Sequence, residues 1–424
     1  MDGETTVGVL GLAAGLGGAY YGWRAMDAAA VGRSRDRFIV ERNDLRERTG
    51  QLSEVAADMH IAARPALERI GGSTLLWDAT MRPPLPVPLS AVSVDWQDVE
   101  APLHPRLHRL TQRRLPKESK WRRYARYSSA MGALARPRLF EDRPSFRLAR
   151  ADWLAPAGPR LVFGPGQYFD LVDQNEAVAH ELAAATRKRP HGTPSWRRTP
   201  MRAVLRDDPL SLGQRVVLPS AGTLTVRRTS DGEGTFFLLL RDAGAVATGG
   251  GVYGPIPAGM VQPASMSPLA HRKDVDLWRT IMREYNEELL GAPEATGATG
   301  REVDYEQPPY SLLNAALANG SLRVWCFGMG LEPLNLAVCL LTVAVFEAET
   351  FDVIFADAVD SNDEGFVISG PRQHGVITGL PLTAGSVDDL PRHRMSSPAA
   401  ALLQLALQHR DLQHRDLLLA PVGH

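Results

Sequence analysis

Two cysteines, Cys326 and Cys339, are all that the 424 residues contain. Both stand inside apolar runs. That number excludes a disulfide-stapled scaffold and a structural zinc site, and it fits buried thiols in a reducing compartment. Neither sign of charge is in excess: 47 Lys and Arg meet 48 Asp and Glu, for a formal net charge of −1. The chain as a whole is therefore not an obvious polyanion binder. It also lacks any helix-turn-helix, zinc-finger or RNA-recognition signature. What is present is ordinary for a folded chain: 44% hydrophobic and 22% charged residues. The length fits two or three domains of roughly 100–200 residues each.

Charge is missing altogether from one stretch, "TTVGVLGLAAGLGGAYYGW" (Thr5–Trp23). Its length is close to the ~20 residues that span a bilayer as a helix. Tyr20, Tyr21 and Trp23 close it where an interfacial aromatic belt would lie. Arg24, Arg33, Arg35 and Arg37 follow, and Asp2 and Glu4 precede. The positive-inside bias then places the bulk of the chain in the cytoplasm, while the acidic leading residues argue against a cleaved signal peptide. Gly11/Gly15 and Gly18/Gly22 have the spacing of close helix packing in membranes. The expectation is a single-pass membrane protein anchored by residues 1–25. The alternative is a Gly-rich buried helix or a floppy tail, on a cytoplasmic protein.

Three further segments follow. Residues 26–81 read as a polar, juxtamembrane helix pair broken near Gly50. "RPPLPVPLS" (Arg82–Ser90) is too proline-rich for a helix or central strand and reads as an extended linker. It opens a basic α/β middle region, 82–210, in which residues 101–150 hold 14 Lys or Arg against three Asp or Glu. There "RRLPKESKWRRYARY" interleaves Trp121, Tyr124 and Tyr127 with bases. Such a surface can hold nucleic acid or an anionic membrane surface, or it can be a solvated face. "LVFGPGQYFDLVDQNEAVAHELAAA" (Leu161–Ala185) reads as a strand, a Gly-Pro-Gly turn and a helix. Its His180 and Glu181 carry no chemistry in this reading.

From 211 to 424 short β-rich runs are punctuated by glycines. Leu334–Phe346 is apolar but short and interrupted by Asn335, which favours a buried strand over a membrane span. A helix begins at Ser397, and its "LQHRD" recurs at once, at Leu407–Asp411 and Leu412–Asp416.

Within this last segment stands "RTIMREYNEELLG", residues 279–291. At 100° per residue, Trp278, Ile281, Met282, Tyr285 and Leu289 fall in an arc of about 100°, a core-facing stripe. Glu284, Glu287 and Glu288 gather in another arc, expected on nearly the opposite side. Like charges at i, i+4 cost roughly 0.2–0.5 kcal/mol per pair. A hard divalent ion, Mg²⁺ or Mn²⁺, would reverse that sign. Arg283 is expected to reach Glu287 one turn on.

"REYNEELLG" resembles the second half of the Nudix box, Arg-Glu-apolar-x-Glu-Glu-x-Gly, with Gly291 one residue late. "VYGPIPAGMVQP" supplies the preceding strand and loop, and Pro257-Ala258-Gly259 resembles the usual Pro-Gly-Gly. Nudix-like C-terminal regions of this texture occur in bacterial multi-module proteins. The resemblance implies a C-terminal α/β/α sandwich with a mixed sheet. It also implies metal-dependent cleavage of a nucleoside diphosphate linked to another moiety. By position, Glu287 and Glu288 would be metal ligands, and Glu284 a ligand or the base that activates water. Arg283 would orient the glutamates, the Gly259 carbonyl would add a metal contact, and Glu364 of "DSNDEGF" would supply the later acidic ligand. The chain departs from the pattern in two further ways. The loop from Gly259 to Arg283 is longer, and Val275, flanked by Asp274 and Asp276, stands where an upstream glutamate belongs. A nucleotide-sensing module without turnover is therefore the alternative to a hydrolase, with nucleic-acid binding through 101–150 as a third reading. Oligomeric state and the identity of the nucleotide are not encoded in any of these motifs.

Overall fold

The computed structural model describes residues 27–99, 104–138, 140–190, 192–241, 251–264, 272, 274–293, 303–362, 365–370 and 377–410. The expected membrane helix, Glu364 and the second "LQHRD" copy lie outside these residues. No helix among the described residues is long and apolar enough to cross a membrane. The single-pass, membrane-anchored expectation is corrected accordingly. Leu334–Phe346, the other apolar run, is a loop and a strand.

The described residues begin with α1 (27–47) and α2 (Thr49–Ala63). The break falls at Arg48, one residue before the second helix, and Gly50 sits inside the first turn of α2. Three short strands follow: β1 (Glu68–Arg69), β2 (Leu76–Trp77) and β3 (Val87–Pro88). The proline-rich stretch is thus not a free linker, because β3 pairs with β12 (Leu322–Leu331) through Pro88↔Trp325 and Val87↔Cys326. Proline is tolerated there because β3 is a two-residue strip at the sheet's margin.

The middle region contributes β4 (Ser93–Trp96), α3 (Pro105–Arg114), α4 (Tyr127–Leu134), β5 (Pro144–Asp152) and β6 (Arg160–Gln167). β6 lies between β4, which is parallel to it, and β5, which is antiparallel. The expected Gly-Pro-Gly turn is instead part of β6. A Cβ on Gly164 would fall 2.7 Å from the Gln97 carbonyl oxygen, so the glycine is needed for the close approach of two backbones, not for a turn. A continuous helix, α5 (168–186), follows at once, with residues Val172–Glu176 in π form. α6 (Pro200–Val204) closes this region.

The C-terminal segment supplies β7 (Ser220–Arg228), β8 (Gly234–Phe236), β9 (Leu238–Arg241), β10 (Tyr253–Pro255) and β11 (Ala258–Met260). Then come α7 (Leu277–Glu288), α8 (Tyr310–Asn319), β12, β13 (Val338–Glu347) and α9 (Ala348–Ile354). β14 (Gly365–Ile368), β15 (Leu380–Pro381) and α10 (Ser397–Arg410) follow.

Nine of these strands form one curled mixed sheet in the order β1-β2-β12-β13-β7-β8-β15, with β11 also on β7 and β3 on β12. β13 is its centre, antiparallel to β12 and parallel to β7. Every β13 residue but Glu347 is buried, the pattern of a strand covered on both faces. The helices that cover it are placed by the two-residue period of β7. Gly222 faces Leu402 of α10, whereas Thr225 bonds Tyr285 of α7 and Arg227 pairs with Asp352 of α9. Even and odd positions therefore meet different helices, and α10 lies opposite α7 and α9. A second sheet, β10-β9-β14, is antiparallel throughout. The chain is thus a mixed α/β protein. Both cysteines are buried free thiols on β12 and β13, as their apolar surroundings implied.

Candidate functional site

Helix α7 is set by its own sequence. Asp276 is the N-cap, and its carboxylate accepts from the Arg279 amide at 2.9 Å. Asp274 accepts from the Ala264 amide at 2.8 Å and ties down the preceding loop. The two aspartates that flank Val275 thus have structural partners. The apolar stripe is as expected: Ile281, Met282, Tyr285 and Leu289 are at most 1% exposed. Tyr285 donates or accepts at Thr225 Oγ1, 2.8 Å away, and its ring meets the edge of Phe346. Burial pushes the Tyr285 hydroxyl far above its ordinary pKa, so it stays protonated.

The three glutamates do not share one environment. Glu284 and Glu287 are partly exposed, but Glu288 is buried at 2% exposure. Its Oε2 accepts from the Ala258 amide at 3.2 Å. The expectation of a carboxylate face opposite the core is corrected here. Seven residues after Ile281, Glu288 is only about 20° from it around the helix. It borders the stripe and turns inward onto β11. Glu284 also meets β11: its carboxylate lies against the Cα of Gly259, where a Cβ would collide with it. Only glycine leaves that space. Gly259 itself is paired in register with Ala221 of β7.

Arg283 is placed differently from the sequence expectation. Its guanidinium is 4% exposed and donates to the Tyr305 hydroxyl at 2.6 Å, the Gln262 carbonyl at 2.6 Å and Thr280 Oγ1 at 3.3 Å. Glu287 is not among these acceptors, and the bond to Gln262 fastens the loop after β11 to α7. The segment leading to Glu364 does arrive at this helix. Asn362 Nδ2 donates to the Glu288 carbonyl at 2.8 Å, and the Val359 amide donates to the Leu289 carbonyl at 2.9 Å.

The donor set is two partly exposed carboxylates beside a buried third. Among the described residues, no group of three or more His, Cys, Asp or Glu could hold a metal ion. Mg²⁺ does not require one. It is commonly held by one or two carboxylates, several waters and the phosphates of its ligand. Glu284 and Glu287 have the exposure that such a mode needs, whereas Glu288 is buried on the Ala258 amide.

In the basic middle region the three aromatics differ in exposure. Tyr124 and Tyr127 are buried at 9% and 3% exposure, and only Trp121 of the three aromatics is open, at 83%. Several bases have local partners, including Arg122 with Glu118 at 2.8 Å and Arg143 with Glu141 at 3.0 Å.

Sequence reasoning missed a second cluster. His180, assigned no role, is 7% exposed and bonded to Tyr127 and Glu41, while Glu176 pairs with the buried Arg42. These residues come from positions 41, 127 and 180, so no local motif could have joined them. The one local hint is that Glu176 and His180 are four residues apart on one helix. Glu181 does prove to be structural: its two oxygens accept from the Met201 and Arg202 amides, both at 3.0 Å.

No protein-family model matches the chain, and no curated protein matches it.

Proposed function

We propose that the C-terminal segment is a Nudix-like module that binds the diphosphate of a nucleotide derivative together with Mg²⁺ or Mn²⁺, without efficient turnover. The observation that carries this reading is the withdrawal of Glu288 onto the Ala258 amide, while Glu284, against Gly259, and Glu287 stay partly exposed. In a hydrolase of this kind the third carboxylate would help to hold the metal that activates water. Here it supports β11 instead. The binding half of the chemistry remains: a cation bridging one or two carboxylates and two phosphates neutralises both. The architecture supports the family resemblance. A mixed sheet with a parallel β7/β13 pair carries α10 on one face and α7 and α9 on the other, and the glutamate helix follows a strand and loop.

The test is calorimetry of the full chain against ADP-ribose, nucleotide sugars and dinucleotides, with Mg²⁺ and with EDTA. The expected result is Mg²⁺-dependent binding of at least one diphosphate, weakened by Glu287→Gln, with no accumulation of nucleoside monophosphate. Release of monophosphate that Glu287→Gln abolishes would make the protein a hydrolase. Absence of binding across the panel would remove the nucleotide reading altogether.

A further inference from the structure

We propose that the cleft between α1, α3, α5 and α6 binds the phosphate monoester of a small, largely apolar alcohol. The cleft has a volume of about 470 Å³, inside the range of roughly 300–1,000 Å³ typical of ligand pockets. Four arginines line it, Arg37, Arg113, Arg114 and Arg198. Two carboxylates, Glu41 and Glu181, face them. Glu181 is fully buried with both oxygens on backbone amides, and Arg114 stands 3.5 Å from it. With both carboxylates ionised, two positive charges remain uncompensated in the cleft. That remainder matches a dianion better than a monoanion. Phosphate is the common dianionic group that arginine forks bind in bidentate fashion. Arg113 and Arg198 are exposed at the mouth, and among the described residues no acidic side chain bonds either of them. The inner wall is apolar, made by the buried side chains of Phe38, Leu115 and Met201. It would take the hydrocarbon body of the ligand.

The floor of the cleft is a hydrogen-bonded chain that holds Glu41 in place. Arg42 Nη1 donates to the Tyr127 hydroxyl oxygen at 3.2 Å, and that hydroxyl donates to His180 Nδ1 at 2.9 Å. His180 Nε2 then donates to Glu41 Oε2 at 3.0 Å. These directions are assigned from the network and require a neutral imidazole with its proton on Nε2. Burial favours the same form, pushing the His180 pKa below its ordinary value, with the Arg42 and Arg114 guanidiniums acting in the same direction and the Glu41 carboxylate against it. Arg42 is anchored in turn by Glu176, at the end of the π-form stretch of α5. Short π segments within α-helices recur at functional sites. Here the segment immediately precedes the turn that carries His180 and Glu181 into the cleft. With Glu41 held by His180, the mouth arginines are left facing solvent and a ligand.

The experiment uses the full chain in EDTA, so that a cation-dependent site on α7 does not contribute. Phenyl phosphate, inorganic phosphate and benzoate are each titrated by calorimetry. The expected order of affinity is phenyl phosphate, then inorganic phosphate, then benzoate. Arg113→Ala and Arg198→Ala should each weaken phenyl phosphate by about tenfold, as expected for loss of a charge-assisted contact. Both side chains are exposed, so circular dichroism should be unchanged. The proposal is overturned by absent phenyl phosphate binding, by binding that neither substitution alters, or by benzoate binding as tightly as phenyl phosphate.

Discussion

Acidification should loosen the packing of α2 against the turn at residues 333–334, and His60 is the group through which it acts. His60 is fully buried, its Nε2 lies 3.0 Å from Arg202 Nη1, and the Trp196 ring meets it edge-on at 5.7 Å. Arg202 also donates to the carbonyls of Pro333 and Leu334, so the imidazole and the turn share one guanidinium. Burial, followed by the charges of Arg202 and Arg215, pushes His60 down to about 3. The unfolded chain has an ordinary histidine, near about 6.5. The native state therefore excludes a proton that the unfolded state takes up. Stability is intact above pH 6.5 and falls as the pH drops from there towards 3. Within that window each unit costs about 1.4 kcal/mol, so about 2 kcal/mol is lost between pH 6.5 and 5. His180, lowered in the same direction, adds to the loss. His60→Gln keeps an acceptor for Arg202 but does not titrate. Urea unfolding at pH 7 and pH 5 should show wild type losing about 2 kcal/mol more than His60→Gln over that interval. Equal losses would refute the argument, as would an imidazole resonance of His60 titrating near 6.5 in the native protein.

Glu288→Leu should orphan the Ala258 amide and cost about 1–3 kcal/mol, whereas Glu288→Gln keeps an acceptor and should cost clearly less. Thermal melts decide it, and equal losses would show that the amide is not the point of contact. Gly259→Ala should leave the fold intact, because the added methyl meets the flexible end of Glu284. It should nevertheless displace that carboxylate and weaken Mg²⁺-dependent diphosphate binding. An unchanged affinity would detach Gly259 and Glu284 from the site. Burial pushes the Cys326 and Cys339 thiols up to about 12 and about 11. Neither should react with a thiol-specific disulfide reagent at pH 8 until the chain is unfolded, since the thiolate is the reactive form. Labelling of the native protein would contradict that burial.

Much of the fold is legible in the sequence because it depends on neighbours in the chain. The apolar stripe of α7 follows from a 3.6-residue period. The near-continuous apolar run of β13 marks a strand buried on both faces. The two thiols follow their apolar surroundings into the core. Tertiary structure decided what those elements do to one another. Glu288 stands at the margin of its helix's apolar face, and only the approach of β11 offers it an amide and draws it inward. Arg283 could bond a glutamate one turn away, but the folded loop presents a carbonyl and a tyrosine hydroxyl that accept from it, both at 2.6 Å. Gly-Pro-Gly has the composition of a turn, yet a neighbouring backbone that needs a missing side chain keeps it in β6. The Arg42–Tyr127–His180–Glu41 chain joins residues up to 139 positions apart. Side-chain periodicity describes one element at a time, whereas a hydrogen bond between buried groups exists only once packing has removed the water that would otherwise satisfy them.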